Sequence, residues 1–317
     1  MTTSPTTSSA TLDAALDCVG RGWHVFPLTP GGKRPALHGH DRCPGTGPCS
    51  AGHLGWEQRS TIDANRICAA WSRAPYNVGL ATGPSGLCVL DLDAPKPGEP
   101  VPPELARQGV RCGEDMLAVV AERAGQPVPN ETLTVRTPSG GLHLYFTAPD
   151  GVQLRNTAGE RGNGLGWKID TRAWGGYVVA PGSITPAGAY EFVYDGPVAP
   201  LPEWLVQRLT PAPPPTTPVT PIRAAAGRSR YVEAAIRAEA IRVRDAARGQ
   251  RNATLYTSAV ALGQLVAGGA LTEAEHAEVL LSAARGHINV GAYSEAQARK
   301  TIASGLRAGM RRPRCIA

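Results

Sequence analysis

The sequence predicts an α+β protein of two domains, a strand-rich first part and a small all-helical second part. Three observations carry this. Short β-branched runs, GLCVLDLD, TLTVRT, HLYFTA and GGYVVAPG, are punctuated by Gly and Pro before residue 208. Residues 210–222, TPAPPPTTPVTPI, have no apolar period and read as an extended linker of polyproline type. Beyond them the pattern changes to Ala-rich helical periodicity.

The elements follow in order. Residues 1–10 contain neither a basic n-region nor a continuous apolar run, so a short disordered tail is expected rather than an export signal. Helical stretches are expected at 11–20 and near 61–72, within a first domain spanning 11–208. A linker over 209–226 leads into a helical domain over 227–314. Its helices are expected at 230–247, at 252–267, from Thr272 with Glu275 completing a capping box, and from Ser294 with Gln297 doing the same. Arg251 and Asn252 at a helix start could contact phosphate or base, or Asn252 could simply cap the helix.

Composition narrows the function classes. The 317 residues are 42% hydrophobic and 18% charged, ordinary for a globular protein. No apolar run approaches the roughly 18–20 residues a membrane span needs, so a soluble, cytoplasmic chain without a membrane partner is expected. Seven unevenly spread cysteines argue against a disulfide framework. The net charge of +6 is lopsided: from Arg223 onward there are 15 basic and 7 acidic residues. A basic segment of this kind is either a phosphate-backbone footprint or a solvated helix face.

Three segments could carry chemistry. In Val89-Leu90-Asp91-Leu92-Asp93 an apolar strand ends in carboxylates at i and i+2, which share a face and can converge on one or two cations. Carboxylate oxygens suit Mg²⁺ and Mn²⁺, although a D-x-D at a strand end is also what a solvated turn offers. In Thr137-Pro138-Ser139-Gly140-Gly141-Leu142-His143 two glycines precede a strand. Their amides could approach a phosphate closely, with Ser139 and His143 donating to its oxygens; a plain hairpin turn is the other reading. In the third segment Asp170 ends another apolar strand, two residues before Arg172. A third carboxylate would complete a two-metal site for displacement at phosphorus, with Arg172 neutralising triphosphate oxygens, while an exposed Asp–Arg surface pair is the alternative.

A fourth cluster lies earlier. His40, Cys43, Cys49 and His53 fall within fourteen residues rich in Gly and Pro, a donor set that suits tetrahedral Zn²⁺, with His38 able to replace His40. With every position filled by protein, such a site would be structural.

The order of a strand with D-x-D, then S-G-G-x-H-x-Y-F, then D-x-R followed by G-G-Y-V-V-A-P-x-S resembles the primase-polymerase branch of the archaeo-eukaryotic primase superfamily. Such proteins occur in plasmids, phages and integrated elements, and the resemblance covers roughly residues 11–208. Residues 22–28 and Gly31-Gly32-Lys33-Arg34-Pro35 are similar to the opening strand and G-x-K-x-P turn of that group, which puts Lys33 within reach of a phosphate or in a solvated turn. The R-N-x-T-L and I-x-S-G-L strings of the second part resemble the helical domain that often follows.

The resemblance implies an archaeo-eukaryotic primase-like catalytic domain with an RRM-like sheet, a zinc-stapled insertion and a following helical bundle. It implies Asp91, Asp93 and Asp170 as ligands of two Mg²⁺ or Mn²⁺ ions and Ser139 and His143 as phosphate-binding residues, with Gly140, Gly141, Arg172 and Lys33 completing the nucleotide-binding set read from the residues themselves. Many relatives carry D-x-E in the first motif, so Asp93 is a shorter variant. The implied activity is that of a nucleotidyltransferase, a DNA primase and polymerase acting on a single-stranded template with nucleoside triphosphates. A catalytically weak replication initiator that only binds nucleic acid is the rival from another class, and a metal-dependent nuclease is a second. No G-x-x-x-x-G-K-[ST] loop occurs, so any helicase partner would be a separate protein.

Overall fold

The structure is a computed structural model that describes residues 7–39, 42–211, 230–247 and 250–314. It divides into two compact units, with the boundary between Pro211 and Ala212. The proline-rich stretch read as a linker falls almost wholly outside the described residues.

The first unit opens with α1 (Thr7–Gly20), β1 (Val25–Leu28), α2 (Trp56–Arg59), α3 (Ala64–Trp71), β2 (Asn77–Ala81) and β3 (Leu87–Leu92). It continues with α4 (Pro103–Ala106), α5 (Gly113–Arg123), β4 (Thr134–Arg136), β5 (Leu142–Thr147), β6 (Ile169–Arg172) and β7 (Tyr177–Val179). The short strands β8 (Ile184–Thr185), β9 (Gly188–Ala189), β10 (Glu191–Tyr194) and β11 (Ala199–Pro200) precede α6 (Glu203–Leu209). Helix α1 reaches back to Thr7, into the stretch expected as a tail over 1–10, of which residues 1–6 lie outside the described residues; periodicity could not register this turn because the first large apolar residue of the helix is Leu12. Helix α3 begins where Asp63 accepts from the amides of Asn65 and Arg66, at 2.9 and 3.3 Å.

Two antiparallel sheets organise this unit. The smaller has the order β1-β2-β7, and the larger β10-β4-β5-β3-β6, with β11 added parallel to β5. The alternation in β3 sorts its side chains between two cores. Leu87 and Val89 join Trp23, Phe26, Trp71, Leu80 and Tyr145 on the face covered by the smaller sheet, α1 and α3. Cys88, Leu90 and Leu92 join Leu117, Phe146, Ile169 and Leu205 on the face covered by α5 and α6. Each fully buried side chain of this size contributes about 1.5–3 kcal/mol by leaving water. Leu90 is fully buried, and truncation to Ala would cost roughly 2–5 kcal/mol. On the first face the apolar positions run out at Val89, and the next residue in phase is Asp91.

Among the described residues the second unit has four helices, α7 (Arg230–Arg244), α8 (Arg251–Ala267), α9 (Glu273–Asn289) and α10 (Glu295–Met310). Both capping boxes read from the sequence form: Thr272 with Glu275, and Ser294 with Gln297. Helix α10 lies against α8 through Gly305 and Gly309, where a Cβ would collide with Ala259 and with the Val260 carbonyl. The buried imidazoles His276 and His287 lie with Nε2 2.8 Å from the carbonyls of Ala259 and Val243, tying α9 to α8 and α7. Asn252 is not a cap: Gln250 occupies that position without a side-chain bond, and Asn252 Oδ1 accepts from Thr301 of α10 at 2.9 Å.

Candidate active site

Strand β3 lies between β5 and β6, and its register aligns Asp91 with His143 on one side and Asp170 on the other. Residues opposite one another in an antiparallel ladder share a face, so the three side chains form one row across the sheet. Asp93 follows just beyond the strand end. Its backbone is held on both sides, its N–H donating to the Lys168 carbonyl at 2.9 Å and its carbonyl accepting from Gly113 N–H at 2.9 Å. Gly113 is required there, because a Cβ would collide with the Lys168 carbonyl. Lys168 itself has a φ of 60°, left-handed for a non-glycine residue, and its Nζ binds both oxygens of Glu99 at 2.7 Å.

Ligand oxygens of Asp91, Asp93 and Asp170 all lie within 4.8 Å of one another. The Asp170 carboxylate is oriented by Gly159 N–H at 2.9 Å. One guanidinium nitrogen of Arg172 reaches Asp170 at 2.9 Å and Asp91 at 3.3 Å, and His143 Nε2 lies 3.4 Å from the other Asp91 oxygen. Burial pushes the Asp91 carboxyl up, but the bond and charge of His143 together with Arg172 outweigh it and hold Asp91 below the usual range. Asp93 behaves oppositely: burial and the neighbouring charges of Asp91 and Asp170 raise it, against weaker opposition from Lys168 and Arg172. Three carboxylates held this close repel one another, which is the electrostatic condition a cation relieves. Their oxygen-only donor set fits Mg²⁺ or Mn²⁺.

The row opens onto a cavity of about 540 Å³, within the range of small-ligand sites. Lys33, Ser139, His143 and Arg172 line it with Asp91 and Asp93. Lys33 Nζ lies 5.5 Å above the Tyr190 ring, and burial of that phenol raises its pKa while Lys33 lowers it. Gly140 and Gly141 differ from expectation. The Gly140 amide donates to the Thr137 carbonyl at 2.9 Å and the Gly141 amide to Thr137 Oγ1 at 3.1 Å, so neither is free for a phosphate. Gly140, at φ +87°, closes the turn that presents Ser139, and the amides serve that closure. Thr137 Oγ1, 3.0 Å from Ser139 Oγ, lines the cavity instead.

Sequence reasoning missed Tyr190, Asn156, Trp56 and Tyr177, which also face the cavity. Trp56 and Tyr177 sat inside or beside segments already singled out, whereas Tyr190 and Asn156 carried no spacing signal.

A second donor cluster stands apart from this row. Ligand atoms of His38, Cys43, Cys49 and His53 lie within 4.8 Å of one another, so His38, the alternative fourth donor, belongs to the group, while His40 lies outside the described residues. Cys49 is buried, its Sγ is 3.4 Å from His38 Nε2 and accepts from Leu54 N–H at 3.5 Å. Two thiols and two imidazoles on a Gly/Pro-rich loop fit a tetrahedral ion of intermediate softness.

An antiparallel-sheet domain with an acidic row on one face of a polar cavity is thus the class that fold and site define. The chain belongs to the family of bifunctional DNA primase/polymerase N-terminal domains, which it matches over residues 15–204, more than half of its length. Membership implies DNA primase and polymerase activity in general, with DNA and nucleotides as substrates. No curated protein matches the chain. Among the described residues, no helix is long and apolar enough to cross a membrane.

Proposed function

We propose that this chain makes primers and extends DNA strands on a single-stranded template, by metal-dependent nucleotidyl transfer. The observation that carries the reading is the convergence of Asp91, Asp93 and Asp170 on one another, at the cavity that Asp91 and Asp93 line together with His143, Ser139, Arg172 and Lys33. Asp91, Asp93 and Asp170 would hold two Mg²⁺ or Mn²⁺ ions, which supply activation of the attacking hydroxyl and charge neutralisation at the reacting phosphate. His143 and Ser139 donate to the triphosphate oxygens. Arg172 spreads over phosphate oxygens with the fork geometry that Lys lacks, and Lys33 adds a second positive charge. In the reaction a 3′-oxygen bonds to the α-phosphorus, the α–β bridge breaks, and pyrophosphate carries the charge away. The protein's contribution is positioning and charge compensation.

The Cys/His cluster would hold a structural Zn²⁺ in an insertion of the RRM-like catalytic domain, assigned to residues 11–208. The helical domain, assigned to 227–314 with its excess of basic residues, would hold the template. Replication of a plasmid, phage or integrated element is the setting that this combination suits.

Incubation with a single-stranded template, labelled nucleotides and Mn²⁺ or Mg²⁺ tests the reading directly. Strand synthesis is expected. Degradation of the template, or binding without synthesis, would overturn it.

A further inference from the structure

The cavity is walled by both sheets, and the two walls differ in chemistry. The larger sheet contributes Asp91, His143 and Arg172, all polar. The smaller sheet contributes Tyr177, and the short helix α2 contributes Trp56. Both rings are half-buried rather than enclosed. Their centroids are 5.0 Å apart at 67°, and Phe26 backs them at 4.9 Å from Trp56 and 5.3 Å from Tyr177. Phe26 in turn packs against Gly79, where any Cβ would collide with its ring.

This wall is fixed from several sides. The Tyr177 hydroxyl donates to the Lys33 carbonyl at 3.0 Å, which binds the wall to the turn carrying the cavity's lysine. Glu57, next to Trp56, accepts from Gly175 N–H at 2.8 Å and so ties α2 to the turn just before β7. Neither bond is needed to close either sheet. Aromatic rings half-exposed on a preorganised wall, in the same cavity as the residues proposed to bind phosphate, offer what a nucleobase needs: a π-surface that accepts any base.

We propose that Trp56 and Tyr177 receive the base of the incoming nucleotide, so that the smaller sheet holds the base while the larger holds the triphosphate. This rests on the nucleotide-binding part of the reading above and assigns the end of the nucleotide that the three motifs leave unaddressed. Stacking of this kind is sequence-tolerant, as templated synthesis requires, because selection among bases then falls to the template.

Calorimetric titration of the full-length protein in Mn²⁺ with a nucleoside triphosphate, and separately with inorganic tripolyphosphate, tests the assignment. Trp56→Ala is expected to weaken nucleotide binding about tenfold or more, from the loss of one base–aromatic stack. It should leave tripolyphosphate binding unchanged, and Trp56→Phe should restore most of the nucleotide affinity. Nucleotide affinity unchanged in Trp56→Ala would overturn the base wall and leave the polymerase reading intact. Equal loss of both ligands would also overturn it, since Trp56 would then be supporting the fold. A wild-type protein that binds neither ligand would overturn both proposals together.

Discussion

His143 Nε2 stands 3.4 Å from an Asp91 oxygen, paired across β5 and β3, so that a proposed phosphate donor and a proposed metal ligand share one row of the sheet. The contact fixes the imidazole from one side and, among the described residues, leaves its Nδ1 buried without a hydrogen-bond partner. Because Nε2–H faces a carboxylate, Nδ1 can donate to a phosphate oxygen only when both ring nitrogens carry protons, and a bond of that kind is charge-assisted.

Replacement of His143 by Ala is therefore expected to weaken nucleotide binding by about 1.5–3 kcal/mol, the size of a hydrogen bond to a charged group. Equilibrium titration with a nucleoside triphosphate measures it. Unchanged affinity would make His143 a structural partner of Asp91 alone.

Asp91→Ala and Asp170→Ala should each abolish nucleotide incorporation while leaving the fold and DNA binding largely intact. Both carboxylates lie at the cavity side of the sheet and outside the two apolar clusters, so their loss opens no void in either core. Incorporation near the wild-type rate in either variant, with circular dichroism unchanged, would sink the assignment of the metal site.

The Cys/His cluster predicts about one tightly held Zn²⁺ per chain and a lower unfolding temperature when Cys43 and Cys49 both become Ser. Elemental analysis of protein purified without chelator checks the first outcome and a thermal melt the second. Protein free of zinc would remove the metal from the account.

Starting a strand requires two free nucleotides and a template to be assembled with no primer contributing binding energy, so extra basic surface should matter most at that step. A chain ending at Thr210 is expected to extend primers but initiate poorly, with a shallower salt dependence of template binding because fewer counterions are released. Initiation equal to the full-length protein at matched template occupancy would reassign the four helices to docking another protein.

A pH dependence is expected of those helices. Burial lowers the pKa of His276 from its ordinary 6.5, against smaller opposing effects from the Ala259 carbonyl and Glu273. A depressed histidine leaves the folded state with fewer protons than the unfolded one once pH drops below 6.5, so stability is flat above that value and falls below it. In His276→Gln that slope should shrink. All six tryptophans lie before residue 212, so fluorescence follows the first unit while far-UV circular dichroism also follows the second. An equally steep acid slope in the variant would show that His276 is not its source.

Local signals were legible in the sequence and distant ones were not. The two capping boxes need only a side chain and an amide three residues apart, and both were read correctly. Asp91 and Asp93 were legible through the two-residue period of a strand. Trp56 and Tyr190 reach the cavity from separate segments, which no spacing within either segment could reveal. Gly140 and Gly141 leave two readings open for a related reason: the pair of glycines is the same whether the amides face a ligand or close their own turn, and here Thr137 takes them. Asn252 looked like a cap by residue type, yet its partner is 49 positions away on α10.

The alignment of Asp170, Asp91 and His143 makes the chain's tolerance of length change uneven. An extra residue inside β3, β5 or β6 would transpose every side chain beyond it to the opposite face, sending a carboxylate into the leucine-rich layer under α5 and α6 and a leucine into the cavity. The stretches over 94–112, after β3, and 149–153, after β5, lie outside these strands and form no bridge with them, so they can lengthen or shorten without that inversion. Homologous chains should therefore vary in size almost entirely between these strands, and a deletion scan of this protein should find lethal positions in blocks whose edges coincide with the strand ends.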